Sequence, residues 1–378
     1  MTDLIWQIYS RPEWILIIVL FLLFFIQLYF ILKYFLRTLF IKPAPESIFE
    51  NHISVVISVQ EEEEKVKSVI EGLLAQNFSN FELIVLDDHL PDRPFEWLFN
   101  LTRKYKNIKY TGISQEVRFS EKMNINLGMK AAKSAWVVFT DADVAGRDPQ
   151  WLEKLNHYIS DDVDAVVAYS NIRKGKGFEQ FFYRLEKMWQ YLQSISFILG
   201  GRVFIADQDN VLMHKKLYFD HGGFRTYINK YYANLELVLN KELKRNRIRV
   251  AASDVAVKSE IDEYSILSFR NLVKKSMQIR HNLGFFHRFT LFFDEYSRIA
   301  LIVACVLVAV FRPLYWEFLM IIPFVYVVLL MIFLGINQRR LKERNLFLSS
   351  FAYILIRPLL VLFIGMEMII KDRRDRWI

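Results

Sequence analysis

The sequence predicts an α/β domain, built on a mostly parallel sheet with flanking helices, and transmembrane helices at both ends of the chain. The first observation is that long apolar blocks lie near the N-terminus and in the C-terminal part. The second is that short β-branched runs alternate with amphipathic stretches between these blocks. The composition agrees, because hydrophobic residues make up 53% of the 378 residues and charged residues still make up 24%.

The overall charge and the cysteine content exclude several classes of protein. The formal net charge is +8, which would suit nucleic-acid binding, but the basic residues cluster beside the apolar blocks and no nucleic-acid-binding motif occurs. We therefore expect no nucleic-acid partner. Cys305 is the single cysteine, so an intramolecular disulfide and a cysteine-based zinc site are excluded. Neither the P-loop motif nor the dinucleotide-binding glycine motif is present, which disfavours a P-loop kinase and a dehydrogenase.

An apolar stretch at residues 14–32 predicts the first transmembrane helix. Its one strongly polar side chain is Gln27, and at about 1.5 Å per residue it matches the roughly 30 Å of bilayer hydrocarbon. A signal peptide would have a shorter apolar core and a small-residue cleavage site, whereas Lys33 and Tyr34 follow here. We predict that residues 1–42 form an uncleaved membrane anchor.

Three further apolar blocks close the chain, at residues 299–311, 318–336 and 346–370. The first is short enough to be a buried core helix, whereas the second predicts a membrane span. The third is interrupted by Arg357 and the proline after it, so it either spans the membrane or enters and returns as a hairpin at that break. We predict that residues 296–378 form transmembrane or re-entrant helices.

Basic residues beside these blocks predict the orientation in the membrane, because lysine and arginine concentrate on the cytoplasmic side. They follow the first helix and separate the last two blocks, at Lys33, Arg37, Lys42, Arg339, Arg340, Lys342 and Arg344. We therefore expect a multi-pass protein of the cell (inner or plasma) membrane, with residues 43–265 in the cytoplasm. A full crossing by the last block would place the basic C-terminus outside, which favours the re-entrant alternative.

Strands and helices alternate in the part of the chain between these membrane blocks. The predicted strands are 53–59, 81–86, 108–112, 135–140 and 164–169, and the predicted helices are 62–76, 94–105, 123–133 and 149–159. This alternation is typical of βαβ units, which produce a mostly parallel sheet covered by helices.

Carboxylates follow two of the predicted strands, at the edge of the sheet where α/β proteins bind ligands. Asp87 and Asp88 close the second strand, and Asp141 and Asp143 close the fourth. One acidic pair after a strand is commonly a turn or a helix cap, but two pairs at one edge of a sheet indicate a shared site. Carboxylate and phosphate oxygens together are typical ligands of Mg²⁺.

Several motifs, in their order along the chain, resemble those of membrane-anchored family 2 glycosyltransferases, which have the GT-A fold. They are the opening strand with Glu62-Glu63, then Asp87-Asp88, Ser120-Glu121-Lys122, Asn126-Leu127-Gly128, Phe139-Thr140-Asp141-Ala142-Asp143, His221-Gly222-Gly223-Phe224 and Gln278-Ile279-Arg280-His281. Each motif alone is weak, and their order and spacing carry the resemblance. It implies a Rossmann-like GT-A domain at residues 43–265.

The resemblance implies a nucleotide-diphosphate sugar as the donor and Mg²⁺ or Mn²⁺ as the cofactor. The implied donor residues are Glu62, Asp87, Asp88, Lys122 and Asp141, and the implied metal ligands are Asp141 and Asp143. The metal would stabilise the negative charge of the departing nucleoside diphosphate. Enzymes of this type transfer the sugar with inversion, while a carboxylate takes the proton from the acceptor hydroxyl.

The acceptor side departs from the family pattern at the general base. Asn234 stands where an aspartate is expected, and an amide does not accept a proton as a carboxylate does. Glu236 and Asp209 are the alternative bases, with Asp207 beside the latter. Asp207 and Asp209 stand where the family pattern has glycines, and Asn210 after them matches that pattern. The resemblance also implies that the acceptor and diphosphate side includes Gln278, Arg280 and His281. We expect a lipid-linked or membrane-associated glycan as the acceptor.

Two stretches leave structural alternatives open. The aromatic-rich residues 178–199 are typical of a core helix that covers the sheet, or of an interfacial helix or lipid groove. Residues 266–295 mix basic and apolar side chains just before a membrane block, which predicts an amphipathic segment in contact with membrane lipid.

The missing base also defines the main functional alternative. A non-catalytic relative could keep the fold and serve as a partner or scaffold of an active transferase. Asn234 favours this role, whereas the intact Asp141-Ala142-Asp143 motif favours an enzyme. A transporter is disfavoured, because the last apolar block contains few ionisable residues, Arg357 and Glu367.

Overall fold

The computed structural model describes residues 12–47, 49–59, 63–87, 96–112, 120–141, 148–175, 177–259, 265–311 and 316–375. Contacts within the chain divide it into two compact units. One unit combines Met1–Phe40 with Gly284–Ile378, and the other is Ile41–Leu283. The expected amphipathic segment 266–295 is therefore shared between the two units rather than forming one element.

The described helices and strands have the following bounds. The strands are β1 (Ile53–Val59), β2 (Phe81–Asp87), β3 (Ile108–Gly112), β4 (Trp136–Asp141), β5 (Ala165–Val167), β6 (Ser170–Ile172), β7 (Val211–His214), β8 (Ile248–Val250) and β9 (Val257–Ser259). The helices are α1 (Pro12–Lys33), α2 (Glu63–Leu74), α3 (Glu96–Lys104), α4 (Ser120–Ala131), α5 (Trp151–Asn156), α6 (Phe178–Leu199), α7 (Lys216–Asp220), α8 (Leu235–Glu242), α9 (Ile266–Asn282), α10 (Phe285–Phe311), α11 (Trp316–Leu319), α12 (Ile321–Arg340) and α13 (Phe347–Asp375).

The unit Ile41–Leu283 contains a large sheet with the strand order β3-β2-β1-β4-β7-β5-β8. Four strands predicted from the sequence form its parallel half: β1 pairs with β2 on one side and with β4 on the other, and β3 pairs with β2. Every residue of β2 is buried, as expected where helices cover both faces of a parallel sheet. The predicted mostly parallel sheet with flanking helices is confirmed.

The other half of the large sheet contains an antiparallel strand that the sequence pattern did not reveal. β7 pairs antiparallel with β4 and with β5, and β5 pairs in parallel with β8. The strand is short and apolar, and such a run does not distinguish a strand from a buried helix. It brings residues 207–210 to the carboxyl end of β4, where the Asn210 N–H donates to the Phe139 carbonyl at 3.2 Å.

The aromatic-rich helix α6 is a core helix of this unit. All its side chains from Arg184 to Ile198 are buried, and it contacts α9 and the strands β6 and β8. The helix α9 in turn buries an apolar face that includes Phe269, Leu272 and Ile279. That face is occupied inside the domain, whereas Ile266 at the start of α9 and Phe285 at the start of α10 are exposed. The membrane contact of residues 266–295 stays a prediction.

Three helical segments in the described part of the chain are long and apolar enough to cross a membrane: Trp14–Phe40, Trp316–Arg340 and Arg344–Glu367. They coincide with three of the four predicted apolar blocks. The remaining block, 299–311, is the second half of α10, which begins at Phe285 and is not one of these three segments. Within this unit α10 and α12 each contact both α1 and α13.

The last helix does not fold back at Arg357. α13 continues through Pro358 without interruption, so the hairpin predicted at this break is wrong. Arg357 is 1% exposed, and its guanidinium lies 2.5 Å from the carboxylate of Glu295 in α10. This pairing explains how an apolar helix carries an arginine, because a charge among membrane helices needs a partner inside the bundle.

Candidate active site

Two carboxylate residues end strands on either side of β1, at one edge of the large sheet. Val59 of β1 is in register with Asp87 at the end of β2, and Ser58 is in register with Asp141 at the end of β4. Neighbouring strands are about 4.8 Å apart, so the two backbone positions are separated by roughly 10 Å. The other residues expected at this edge, Glu62, Asp88 and Asp143, lie outside the described residues.

The chemistry of this edge fits a hard divalent cation bound together with a diphosphate. Mg²⁺ is usually held by one or two carboxylates plus phosphate oxygens, not by a complete cage of protein ligands. No group of three His, Cys, Asp or Glu side chains in the described residues could hold a metal ion, and the diphosphate arrangement does not require one. Asp87 is 1% exposed, and the Tyr110 hydroxyl donates to its carboxylate at 2.5 Å, which fixes its orientation.

Asn234 precedes the short helix α8 and is joined to the loop before β7. The first N–H groups of a helix have no partner inside the helix and need acceptors elsewhere. The Leu235 N–H donates to the Gln208 side chain at 3.0 Å, and the Asn234 N–H donates to the Glu236 carboxylate at 2.9 Å. These bonds hold Asn234 at the carboxyl end of β4, the edge that also carries Asp141.

Glu236, the first alternative base, is buried and bound to other residues of the protein. Its side chain is 0% exposed, and its carboxylate accepts the N–H of Gln208 at 3.1 Å in addition to that of Asn234. The Lys275 ammonium lies 2.5 Å from the same carboxylate. A carboxylate that is buried and engaged on both oxygens is poorly placed to receive a proton from a substrate.

Asp209, the second alternative base, belongs to a chain of ion pairs with Asp207. Lys187 lies 2.6 Å from Asp209 and 3.2 Å from Asp207, and Lys275 lies 3.0 Å from Asp207. Burial opposes the charge on Lys275, but Asp207, Glu236 and Asp209 together raise its pKa well above the ordinary value. The two lysines in turn overcome the effect of burial on Asp207 and lower its pKa. The carboxylates that replace the expected glycines are thus neutralised by the buried Lys187 and the half-buried Lys275.

Lys122 is held against the stretch that leads to Asn234. Its ammonium donates to the Asn234 side-chain oxygen at 2.7 Å and also to the carbonyl of Lys230. Burial lowers the pKa of Lys122, and the nearby carboxylates of Glu121 and Glu236 oppose that shift. The expected donor-site lysine is therefore brought together with the acceptor-side residue Asn234.

Glu121 is a site residue that the sequence reasoning did not single out. Its side chain is exposed to solvent, the Gln208 amide lies 3.5 Å from its carboxylate, and the nearby side chain of Asn234 lowers its pKa. Desolvation by the surrounding protein raises the pKa of Glu121, and Glu236 acts in the same direction, while Lys275 and Lys122 oppose the shift. An acidic residue immediately before Lys122, within the Ser120-Glu121-Lys122 motif, is the sequence signal for this residue.

The residues expected at the acceptor side are not all brought together. Gln278 accepts the N–H groups of Tyr232 at 3.0 Å and Ala233 at 2.9 Å, and so positions the chain directly before Asn234. Arg280 instead donates to the Gln193 side chain at 2.6 Å. His281 is exposed. Of the three, Gln278 is the one that the structure connects to Asn234.

The glycine turn that follows β7 has the backbone that its motif predicts. Gly222 and Gly223 have φ angles of 78° and 64°, in the region that glycine adopts without strain. A Cβ on Gly223 would lie 2.8 Å from the hydroxyl of Tyr218. That hydroxyl donates to the Asn126 side chain at 3.2 Å, so this motif is connected to the Asn126-Leu127-Gly128 motif of α4.

Sequence comparison assigns the domain that contains this site. The sequence model described as "Glycosyl transferase family 2" matches residues 54–232, which include β1, the ends of β2 and β4, Glu121 and Lys122. Residues 54–232 are a family 2 glycosyltransferase domain. An uncharacterized glycosyltransferase of Haemophilus influenzae is 25% identical over 175 residues, which cover 45% of this chain and 53% of the relative. The aligned part thus spans about half of that relative's length.

A solved structure shares the fold of the glycosyltransferase domain and of the flanking helices. The mannosyltransferase PcManGT from Pyrobaculum calidifontis superposes with a TM-score of 0.54 at 13% identity, covering 91% of this chain and 99% of that one. The likeness confirms the GT-A fold expected from the motifs. The structure of that mannosyltransferase was determined in complex with GDP-Man and Mn²⁺.

Proposed function

We propose that this glycosyltransferase moves a sugar, with inversion, from a nucleotide-diphosphate sugar to a hydroxyl of a lipid-linked or membrane-associated glycan. The observation that carries the proposal is the position of Asp87 and Asp141 on either side of β1, within the family 2 domain. The fold relative bound to GDP-Man and Mn²⁺ supports the donor class and the use of a divalent metal.

The residues at the two strand ends would contact different parts of the nucleotide sugar. Asp141 and Asp143 would hold Mg²⁺ or Mn²⁺, and Asp87 with Asp88 would contact the nucleoside, with Glu62 in the first turn. When bound, the metal supplies positive charge that stabilises the departing diphosphate.

Glu121 is the general base of this proposal. It is a carboxylate that combines solvent access with a position beside Asn234, the residue at the expected base position. Its carboxylate takes the proton of the acceptor hydroxyl while the hydroxyl oxygen bonds to the anomeric carbon. The bond between that carbon and the diphosphate oxygen breaks, and the nucleoside diphosphate leaves with the electron pair. Glu236 and Asp209 instead form ion pairs with Lys275 and Lys187.

The membrane location is part of the same proposal. The three apolar helical segments would anchor the chain in the cell membrane, and basic residues such as Arg339 and Arg340 would mark the cytoplasmic ends. The glycosyltransferase domain would then face the cytoplasm, where nucleotide sugars are the donors, and it would stay close to a lipid-linked acceptor.

A non-catalytic partner or scaffold is the second candidate. The observation that favours it is Asn234, whose side-chain oxygen accepts from Lys122 and is not free to act on an acceptor. In this role the chain would keep nucleotide binding at Asp141 and lack turnover.

Calorimetry with UDP and GDP, each with and without Mn²⁺, tests the donor site in the purified full-length protein. We expect binding to one nucleotide that depends on the metal and is lost in Asp141→Asn. Asp161→Asn, a change of an exposed aspartate of the same domain, should bind normally. Absence of binding to both nucleotides would contradict the proposed donors. Binding without release of sugar from the matching donor would favour the scaffold.

A further inference from the structure

An opening of about 450 Å³ lies at the connection between α12 and α13. It is lined by Gly335, Gln338, Arg339, Arg344 and Phe347. All five residues lie in or between the two C-terminal segments that are long and apolar enough to cross a membrane. The opening is therefore placed where apolar helices give way to a basic stretch, at the level of lipid headgroups.

The two arginines of this opening have no anionic partner among the described residues. Both side chains are exposed, and within the described residues neither takes part in a salt bridge or a side-chain hydrogen bond. The neighbouring Arg340 differs, because its guanidinium donates to the Thr38 carbonyl at 3.2 Å and it does not line the opening. Paired guanidinium groups are the side chains best suited to bind a phosphate group.

Gln338 adds an acceptor that is buried and unsatisfied. The side chain is 1% exposed, and its amide nitrogen donates to the Ser350 hydroxyl at 2.6 Å. Its oxygen is buried and has no hydrogen-bond partner within the described residues. Buried polar atoms normally have a partner, so a ligand in this opening should offer a donor beside its anion.

We propose that this opening binds the headgroup of an anionic phospholipid that carries a hydroxyl next to its phosphodiester, as in phosphatidylglycerol. Arg339 and Arg344 contact the phosphate, and the Gln338 oxygen accepts from the headgroup hydroxyl. The acyl chains follow Phe347 and the apolar helix surfaces into the membrane. Basic openings between membrane helices are suited to such headgroups. The assignment is independent of the proposed glycosyl transfer.

The test is a titration of detergent-purified full-length protein with short-chain phosphatidylglycerol, followed by native mass spectrometry. Phosphatidylmethanol has the same charge without the hydroxyl, phosphatidylcholine is zwitterionic, and glycerol phosphate lacks the acyl chains. We expect phosphatidylglycerol to bind more tightly than all three. Arg339→Gln and Arg344→Gln should each weaken its binding about fivefold, the effect of one cation near a lipid headgroup.

Two controls make the assignment specific. Arg340→Gln removes the same charge from the same helix outside the opening, and should leave binding nearly unchanged. Gln338→Leu should abolish the preference for phosphatidylglycerol over phosphatidylmethanol while both lipids still bind. Equal losses in Arg339→Gln and Arg340→Gln would overturn the site in favour of diffuse surface charge. Glycerol phosphate binding as tightly as the lipid would overturn the lipid assignment in favour of a soluble anion.

Discussion

Lys122 and Asn234 are joined by a hydrogen bond of 2.7 Å from the ammonium to the side-chain oxygen. This bond directs the amide oxygen to Lys122, and the same side chain lowers the pKa of the neighbouring Glu121. An aspartate at position 234 would keep the bond to Lys122 but would replace the amide with a second carboxylate beside Glu121. The departure from the family pattern is therefore coupled to the presence of an acidic residue at position 121.

The first prediction concerns Glu121 as the base. Glu121→Gln should lower kcat by about 10²–10⁴-fold, the usual contribution of general-base catalysis, and leave nucleotide affinity nearly unchanged. Steady-state turnover and calorimetry on the same preparation measure the two quantities. Glu71→Gln, a change of an exposed glutamate on α2, is the matched control. Wild-type kcat in Glu121→Gln would remove this residue from the mechanism.

The second prediction is the pH dependence of the same step. Desolvation raises the pKa of Glu121, with Glu236 acting in the same direction and Lys275, Asn234 and Lys122 opposing it. The base works when deprotonated, so kcat/KM should fall as the pH drops through this raised pKa, above the range of an ordinary glutamate. A pH–rate profile of the wild-type protein measures the acid limb. A limb at the ordinary glutamate pKa would contradict the assignment.

The third prediction tests the coupling between positions 234 and 121. Asn234→Asp restores the residue of the family pattern, yet it places a second carboxylate beside Glu121 and removes a side chain that lowers the pKa of Glu121. Like charges raise each other's pKa, so the acid limb should move to higher pH and activity at neutral pH should fall. Increased activity, with the acid limb of the pH–rate profile unchanged, would show instead that the aspartate at position 234 acts as the general base.

The parallel half of the sheet could be predicted because it depends on local pattern. β1 was predicted at residues 53–59 and is observed as Ile53–Val59, and the acidic residues after β2 and β4 follow from the same alternation. β7 could not be predicted, because three apolar residues followed by His214 carry no periodicity that separates strand from helix. Its partners β4 and β5 are distant in sequence, and only the folded sheet reveals their pairing.

Site residues that match a motif could be predicted from the sequence. Residues whose role depends on partners distant in the sequence could not. Asn210 matches the family pattern, and its role becomes clear in the fold. Its side-chain oxygen accepts from the Trp151 indole N–H at 3.2 Å, and its amide nitrogen donates to the carbonyls of Tyr169 at 2.9 Å and Val255 at 2.8 Å. Its φ of 59° also suits asparagine. Glu121 was missed because its importance comes from Asn234, more than a hundred positions away.

The fourth prediction concerns stability of the glycosyltransferase domain. Asp164 lies between Arg247, at 2.8 Å, and Lys216, at 2.9 Å, and these partners lower its pKa to about 2. A lowered carboxyl pKa adds stability above the unfolded pKa, and this stability is lost as the pH falls through the folded pKa. Because both partners reach solvent, screening reduces the effect of Asp164→Asn to about 1 kcal/mol at pH 7.

Thermal unfolding of the full-length protein in detergent at pH 7, 4 and 3 measures this contribution. The difference between Asp164→Asn and wild type should be largest at pH 7 and shrink toward pH 3. Asp162→Asn is the matched control, because Asp162 is 71% exposed and its one salt bridge, to Arg249, is 3.2 Å long. A difference that does not change with pH would exclude the ion pairs as its source.

The fifth prediction concerns the buried pair of Glu295 and Arg357. Arg357→Leu removes the arginine from a carboxylate that is 1% exposed, and breaking a buried pair in this way costs about 3–5 kcal/mol. The double variant Glu295→Leu/Arg357→Leu removes both charges and should recover most of the loss, because apolar residues of similar size replace a buried pair at little cost. Thermal unfolding of the wild type, Arg357→Leu, Glu295→Leu and the double variant in one detergent gives the comparison. If the stability losses of the two single variants add up in the double variant, the two residues contribute independently. In that case α13 carries Arg357 for a reason other than Glu295.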